Sequence, residues 1–277
     1  MTTSSLTSKI KNELAKLGQK ANKTMSQNFL VNEMVYKKIV EAGEIKKDDL
    51  VVEVGPGTGT LTQYLLEAGA KIIAIEKDRK LTGHLKNKFK NSNAEIVEGD
   101  ILKFNPADYK LETGSYKLIG NIPYYLTSHL FRLAFENWPR PKLIVFMIQK
   151  EVAQRITAKP PGMSLLAVSI QIFSQPKIIS RVSKGDFYPM PNVDSAIIQL
   201  KPLEEELLPP ENVPNFFKIV KIGFSGKRKQ LAHNFSAGLQ LEREFVDEKL
   251  NSIGIDSKRR AETLSINEWL KVVKIFS

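Results

Sequence analysis

The sequence predicts an α/β fold: a Rossmann-like, mostly parallel sheet with an antiparallel edge, followed by a small all-α domain. First, the apolar stretch at 50–54 has the composition of a buried strand, and it runs through a glycine-rich loop into a helix. Second, strand and helix patterns alternate from there to residue 149, as they do in βαβ units. Third, no strand pattern follows the acidic, proline-containing stretch at 204–212. We therefore predict two domains, 1–203 and 204–277.

The N-terminal segment, residues 1–23, is basic, with five lysines and a single acid, Glu13. Ile10, Leu14 and Leu17 have the spacing of one weak amphipathic helix. We nevertheless expect much of the segment to be a mobile arm, of the kind that becomes ordered on nucleic acid.

The remaining elements follow from the apolar periodicity. A helix that includes Val35 and Val40 ends at Gly43. The predicted strands of the first domain lie at 50–54, 71–75, 94–97, 116–120 and 142–149, and the helices between them near 60–68, 79–89 and 128–136. A helix follows at 150–158, the type of the apolar segment 164–173 stays open, and β-like runs at 177–182 and 195–200 supply the antiparallel edge. The second domain has short helices at 213–223, 229–237, 242–250 and 266–276.

Composition limits the classes of protein to consider. The chain has no cysteine, which excludes disulfides, thiolate catalysis and Cys-ligated metal, and its three histidines are isolated, so we expect no metal site. The longest apolar run, 143–148, is far shorter than the roughly 20 residues of a membrane span, and the N-terminus lacks a signal-peptide pattern. We expect a cytoplasmic protein with no membrane partner. The net charge of +11 favours nucleic acid as a partner, the alternative being a charged surface that only maintains solubility.

The glycine-rich loop predicts a nucleotide-type ligand. Gly55, Gly57 and Gly59 precede a helix N-terminus, where a Cβ would hold a ligand away from the backbone and the turn needs positive φ. The G-x-G-x-G spacing lacks the Gly-Lys-Ser/Thr of a P-loop. Glu76 ends the next strand, where a carboxylate can accept both hydroxyls of a ribose. A strand, loop and helix with no ligand is the alternative; the hypothesis is a nucleoside-bearing cofactor, and its identity stays open at this point.

The loop after the third strand adds another candidate ligand-binding residue. Ligands of open α/β sheets bind at the carboxyl ends of the strands, and Asp100 stands there directly after Gly99. Its carboxylate is placed to accept the exocyclic amine of an adenine ring, although a Gly-Asp pair after a strand is often no more than a turn.

The segment after the fourth strand indicates the chemistry. Asn121, Ile122, Pro123 and Tyr124 combine an amide, a carbonyl fixed before proline and an aromatic ring, which suits a planar base with an exocyclic amine. The Asn121 side-chain oxygen and the Ile122 carbonyl can hold the amine hydrogens so that its lone pair points at an electrophilic methyl, while Tyr124 stacks on the base. No general base is needed, because the methylated ammonium loses its proton to water. The alternative is a type I turn with a core tyrosine.

Taken together, these motifs resemble the KsgA-type family of small-subunit ribosomal RNA adenine N6,N6-dimethyltransferases. The resemblance runs from Ser26 to at least Asn234. It rests on the stretches 27–30, 53–59, 98–100, 121–124, 149–155 and 187–196, and on Glu76. It implies a class I methyltransferase domain with S-adenosyl-L-methionine as methyl donor.

The resemblance also assigns the site residue by residue. It implies cofactor contacts at Asn28 and Leu30 at the entrance, Gly55 in the loop, Glu76 on the ribose, Asp100 on the adenine, and Asn121 beside the methyl. Phe187 matches the second aromatic of the family, which is expected to sandwich the target base with Tyr124. By sequence alone Phe187 fits a core position equally well.

The segment containing Lys227, Arg228 and Lys229 resembles the RNA-contacting element of the family, where cations position phosphates without reading sequence. The alternative is a solvated helix N-terminus, although three cations there oppose the helix dipole. The implied substrate is a pair of adjacent adenosines in the 3′-terminal hairpin loop of small-subunit rRNA, each methylated twice on N6 within an assembling subunit. Two departures from the family pattern, Ser26 and residues 163–165, do not involve the methyl-transfer residues.

Other functions stay open on the sequence alone. The same chemistry would serve a large-subunit rRNA adenine methyltransferase of the macrolide-resistance type, and a non-catalytic ribosome-assembly protein could retain a vestigial site. The motif at 187–196 and the basic segment favour the small-subunit target. A DNA adenine methyltransferase fits the chemistry, but the sequence has no target-recognition domain for it. We expect the protein to act as a monomer.

Overall fold

A computed structural model describes residues 3–18, 27–123 and 126–276. The chain divides into two compact units, Met1–Ala153 with Lys177–Pro202, and Gln154–Pro176 with Leu203–Ser277. The helices of the first unit are α1 (Thr3–Lys16), α2 (Glu33–Ala42), α3 (Thr60–Glu67), α4 (Arg79–Lys88) and α5 (Thr127–Arg132). Its strands are β1 (Phe29–Leu30), β2 (Leu50–Val54), β3 (Lys71–Glu76), β4 (Ala94–Glu98), β5 (Tyr116–Asn121), β6 (Leu143–Gln149), β8 (Phe187–Tyr188) and β9 (Ser195–Pro202). Two elements, α6 (Lys150–Ile156) and β7 (Ser174–Val182), continue from one unit into the other.

Seven strands form one sheet in the order β4-β3-β2-β5-β6-β9-β7. The pairs from β4 to β6 are parallel, and β9 is antiparallel to β6. Consecutive residues such as Val51 and Val52 are fully buried, which means that both faces of the central strands are covered and explains why their sequences are continuously apolar. The predicted mostly parallel sheet with an antiparallel edge is confirmed. Its parallel register places the ends of β2, β3 and β5 side by side.

A separate two-stranded ribbon joins distant parts of the first unit. β1 and β8 pair antiparallel, with Leu30 opposite Phe187. Beyond the ribbon, the Val31 N–H donates to the Asp186 carbonyl at 2.7 Å, and the Asn32 amide donates to the Asp186 carboxylate at 2.8 Å. The ribbon therefore holds the segment after residue 27 against the segment around residue 187.

Helix α1 corrects the prediction of a mobile arm. Leu6, Ile10 and Leu14 recur every four residues on one face and are at most 3% exposed within the hydrophobic core of the unit. Burying each such side chain contributes about 1.5–3 kcal/mol, which is enough to hold this helix of 14 residues in place. The sequence indicated a weak amphipathic helix through Ile10 and Leu14, but the lysine-rich composition favoured a mobile arm for much of the segment. Residues 19–26, including Ser26, lie outside the described residues.

The second unit contains α7 (Leu165–Gln171), α8 (Val213–Gly223), α9 (Leu231–Leu239), α10 (Arg243–Ser252) and α11 (Ile266–Phe276). Residues 154–176 belong to it, whereas the sequence placed them in the first domain. Phe173 lies 6.2 Å from the ring of Phe217, and the Met163 N–H donates to the Glu262 carbonyl at 2.9 Å. These long-range contacts, which apolar periodicity does not reveal, explain the different division.

The helices of the second unit share an aromatic core. Trp269 is fully buried and stacks on Phe224 at 5.3 Å, and Phe235 stacks on Phe276 at 4.9 Å. Residues 203–276 contain no strand, as the sequence predicted. Within the described ranges of the chain, no helix has the length and apolar character needed to cross a membrane.

Candidate active site

A cleft of about 1140 Å³, counted with its open mouth, lies at the carboxyl ends of the central strands. It brings together most of the residues that the sequence singled out. The predicted site residues among its walls are Asn28, Leu30, Gly55, Gly57, Glu76, Asp100, Asn121, Ile122, Pro123 and Phe187. Tyr124 lies outside the described residues. The cleft has the dimensions of a cofactor site.

The glycine-rich loop has the predicted positive φ at Gly55 (65°), Gly57 (60°) and Gly59 (78°). A Cβ on Gly55 would meet no atom within 4 Å, so at this position backbone conformation alone favours glycine. Gly59 differs, since it is not among the residues of the cleft wall and its Cβ would lie 2.6 Å from Phe89 and 2.7 Å from Leu85. The third glycine is therefore explained by packing beneath the loop.

Glu76 is held rigidly at the tip of β3. One carboxylate oxygen accepts the Gly57 N–H at 3.1 Å and the other accepts the Asp78 N–H at 2.9 Å. Burial raises the pKa of Glu76, and these two donors partly oppose the shift. Because each carboxylate oxygen has a second lone pair, two ribose hydroxyls can still donate to this group.

Asp100 is preorganised as an anion beside Glu76. Its carboxylate accepts the Lys77 ammonium at 2.8 Å and the Leu102 N–H at 3.0 Å. The hydrogen bond from Lys77 is the main reason that the pKa of Asp100 is lowered. Asp100 therefore both caps a short turn and lies in the cleft, so the two interpretations of the Gly-Asp pair are compatible. Lys77, which also lines the cleft, was missed because a lysine after a strand has no distinctive pattern.

The Asn121 side chain is fixed at the end of β5. Its amide nitrogen donates to the Asn28 carbonyl at 3.2 Å, which leaves the side-chain oxygen as the acceptor that a substrate amine would meet. The preceding residue, Gly120, packs so closely on β2 that a Cβ would lie 2.6 Å from the Val54 carbonyl oxygen. These contacts give Asn121 a defined position relative to the glycine-rich loop.

Phe187 occupies the opposite wall through the ribbon of β1 and β8. It lies opposite Leu30, and it is only 5% exposed although it lines the cleft. Phe187 is therefore both a core residue and a residue of the cleft wall, so the two alternatives from the sequence do not exclude each other. The Leu30 carbonyl accepts the Tyr36 hydroxyl at 2.8 Å, which anchors the ribbon on α2.

Glu53 is a cleft residue that sequence reasoning missed. It is fully buried in β2, it lines the cleft, and neither carboxylate oxygen has a hydrogen-bond partner among the described residues. Burial raises the pKa of Glu53 to about 8. The signal was present in the sequence, since Glu53 is the single charged residue of an otherwise apolar strand.

The second unit carries a separate basic concavity. Lys227, Arg228 and Lys229 are exposed in the turn before α9, and the Leu231 and Ala232 N–H groups at the helix start donate to carbonyls of residues 259 and 257. This pairing brings the 256–260 turn beside the 224–230 turn. The concavity is lined by Arg228, Lys229, Gln230, His233, Arg243, Lys258 and Arg260. The last three cations were missed because they are far from residue 228 in sequence.

One cleft brings together a glycine-rich loop, a carboxylate at the tip of β3 and the Asn121-Ile122-Pro123 segment. This is the arrangement with which an open α/β sheet binds a nucleoside-type cofactor. The chain belongs to the ribosomal RNA adenine dimethylase family, whose profile matches residues 18–277. It is 41% identical over 254 residues to ribosomal RNA small subunit methyltransferase A of Dehalococcoides mccartyi, covering 91% of this chain and 87% of that protein. It is 38% identical over 256 residues to the protein of the same name from Clostridium botulinum, covering 91% and 93%.

Two solved structures are similar to this chain over most of its length. A dimethyladenosine transferase from Plasmodium falciparum matches with a TM-score of 0.76 at 28% identity, covering 88% of this chain and 95% of the other. A 23S rRNA methyltransferase, ErmE, matches with a TM-score of 0.73 at 26% identity, covering 90% and 99%. The predicted family and the Rossmann-like methyltransferase fold with a helical C-terminal region are confirmed, and the chain is an enzyme of this family.

Proposed function

We propose that this protein transfers methyl groups from S-adenosyl-L-methionine to the N6 amines of two adjacent adenosines in the 3′-terminal hairpin loop of small-subunit rRNA. The products are N6,N6-dimethyladenosines. The protein acts in the cytoplasm, as a monomer, on the assembling small ribosomal subunit. The observation that carries this proposal is the fixed amide of Asn121 in the same cleft as the glycine-rich loop and Glu76.

The described residues fit the cofactor. The carboxylate of Glu76 has lone pairs for a ribose, and Asp100 is an anion beside it, where it can accept an adenine amine. Gly55, Gly57, Asn28 and Leu30 line the same cleft, where we assign the glycines to the amino-acid end of the cofactor and the other two to the entrance. When bound, S-adenosyl-L-methionine supplies an electrophilic methyl group.

The chain's own contribution to the reaction is positioning. The Asn121 side-chain oxygen and the Ile122 carbonyl accept the hydrogens of the adenine amine, which directs its lone pair at the methyl carbon. Phe187 and Tyr124 hold the base between their rings, so the target adenosine is flipped out or unpaired. No side chain has to remove a proton before transfer, since the methylated ammonium is a strong acid that deprotonates to water.

Binding of the RNA is assigned to the basic concavity together with Lys227. Five cations surround it, Arg228, Lys229, Arg243, Lys258 and Arg260. Several cations on two adjacent turns can contact successive phosphates of a folded RNA. Phosphate contacts carry no sequence information, so selection of the adenine is assigned to the cleft.

A large-subunit rRNA target is the main alternative, because the similarity to ErmE is nearly as high as that to the dimethyladenosine transferase. The names of the curated relatives favour the small subunit.

The deciding experiment is transfer of labelled methyl from S-adenosyl-L-methionine to undermethylated small subunits, with large subunits and duplex DNA as controls. We expect label in adjacent dimethyladenosines of small-subunit rRNA. Label confined to large-subunit rRNA would overturn the proposed target, and RNA binding without label would overturn the proposed reaction.

A further inference from the structure

The unexplained feature of the cleft is Glu53. A fully buried carboxyl group normally has hydrogen-bond partners, because an unpartnered one is costly to bury. Neither of its oxygens has a partner within the described parts of the chain, and the Thr62 hydroxyl is unpartnered as well. Its strand neighbours, Ala74 on β3 and Ile119 on β5, are apolar. The neighbours on the adjacent strands therefore do not account for a carboxyl group here.

Among the residues that the structure describes, no cation interacts with Glu53. The ionisable groups that interact with it are Glu76 at the tip of β3 and Tyr36 on α2. Helix α3 contributes the hydroxyl and the N–H of Thr62, which lower the pKa of Glu53 and partly oppose the effect of burial. The carboxylate of Glu76 disfavours a negative charge on Glu53, and Tyr36 has no positive charge that would balance it. The carboxyl group is thus an acid that would become more acidic if a positive charge entered the cleft.

We propose that Glu53 is a positioning residue that makes the cleft prefer a cationic sulfonium cofactor to its neutral thioether product. This inference rests on the proposed function, because S-adenosyl-L-methionine carries a sulfonium charge and S-adenosyl-L-homocysteine does not. Both ligands have the same ribose and adenine, so Glu76 and Asp100 interact with them alike. A buried carboxylate acts over several ångströms at low screening, and it therefore distinguishes the two charges without touching either ligand.

The preference must also depend on pH. The pKa of Glu53 is about 8 in the free protein, so the group is mostly neutral at pH 6.5 and ionises as the pH rises or as a cation binds. Binding of the sulfonium cofactor therefore releases protons, and its affinity relative to the thioether rises with pH. The contacts of Glu76 with the ribose are the same for both ligands and cancel in their ratio, whereas the effect of its charge on the sulfonium is measured separately with Glu76→Gln.

The test measures dissociation constants of both ligands by calorimetry for the wild-type protein, Glu53→Gln and Glu53→Met. We expect the preference for S-adenosyl-L-methionine over S-adenosyl-L-homocysteine to fall about tenfold in both variants. Glu76→Gln is the matched control, because it should weaken both ligands by similar factors. Thermal unfolding checks that each variant is folded.

A second measurement needs no variant. 5′-Methylthioadenosine and its S-methyl sulfonium derivative differ only in the methylated sulfur, and neither has an amino group that titrates. For the wild-type protein, we expect the sulfonium to gain affinity over the thioether between about pH 6.5 and 9.

An unchanged ligand preference in folded Glu53 variants, or a preference in the wild-type protein that is independent of pH, would overturn the inference. Equal loss of both ligands would overturn it too, because it would show that Glu53 has only a structural role. If the wild-type protein bound neither adenosine ligand, the proposed function itself would be wrong.

Discussion

At the scale of the single residue, Asn121 has two groups with separate tasks. Its amide nitrogen is bound to Asn28, and its oxygen is assigned to the substrate amine. We expect Asn121→Ala to lower the single-turnover rate about 100- to 1,000-fold while changing cofactor affinity less than about tenfold, because the lost acceptor acts mainly in the transition state. Rapid-quench kinetics and calorimetry measure the two quantities. Asn91→Ala, at an exposed site, is the control, and parallel losses of rate and affinity would contradict the assigned role.

Glu76 gives a prediction for cofactor affinity. In the proposed function, the ionised Glu76 carboxylate accepts the ribose hydroxyls of the cofactor. Burial raises its pKa above the ordinary value of 4.5 in the free protein. Affinity for S-adenosyl-L-homocysteine should therefore increase as the pH rises through that raised pKa, and become constant once the carboxylate is ionised. Calorimetry across the acidic range measures this dependence. Glu76→Gln should bind more weakly with a flatter profile, and a steep profile in this variant would assign the titration to another group.

Glu53 gives a prediction for stability. Its pKa is raised to about 8 in the folded protein, so the folded state retains a proton that the unfolded chain loses near its ordinary value of 4.5. The resulting stability is present below about pH 4.5 and is lost as the pH rises towards 8. Urea unfolding at several pH values should show a shallower decline for Glu53→Gln than for the wild-type protein. Identical slopes would mean that Glu53 is ionised at neutral pH.

At the scale of the element, α1 is part of the core. Ile10 is 1% exposed, so Ile10→Ala should lower the free energy of unfolding by about 2–5 kcal/mol. Lys9→Ala on the exposed face of the same helix should change it by less than about 0.5 kcal/mol. Chemical denaturation measures both. If both substitutions changed the free energy of unfolding by the same small amount, α1 would not be part of the core, and the segment would be the mobile arm that composition predicts.

The turn before α9 is the second element with a testable role. Replacing Lys227, Arg228 and Lys229 by alanine should weaken RNA binding and reduce the slope of log affinity against log salt by about 2–3, since three phosphate contacts are lost. Filter binding at several salt concentrations measures the slope. The matched control replaces three exposed lysines of the first unit, Lys46, Lys47 and Lys86, which removes the same charge. If both triple variants behaved alike, net charge rather than this turn would govern binding.

At the scale of the whole molecule, the sequence predicted most of what short-range patterns determine. Apolar runs located the central strands to within one or two residues, and glycine spacing located the loop with positive φ. Contacts between distant segments were not predictable in this way. The packing of residues 154–176 with the C-terminal helices and the pairing of the 224–230 and 256–260 turns both depend on such contacts.

The site residues show the same limit. Glu76 and Asn121 are the last residues of β3 and β5, and Asp100 lies two residues after β4, so their position at one edge of the sheet follows from topology. Gly59 has the same local pattern as Gly55, yet only the fold reveals that Phe89 and Leu85 fill the space behind it. Glu53 was overlooked because a single acidic residue in an otherwise apolar run does not change the assignment of the run as a buried strand.

The ribbon of β1 and β8 has a consequence for biosynthesis. Leu30 pairs with Phe187, and β9 inserts between β6 and β7 after both have been made. At about 5–20 residues per second, a ribosome needs roughly 10–30 s to extend the nascent chain from the first strand of the ribbon to the second. During that interval, the growing polypeptide exposes an unfinished pocket with apolar walls. The wall of the cleft that contains Phe187 therefore forms only late in translation, well after Glu76 and Asp100 have been made.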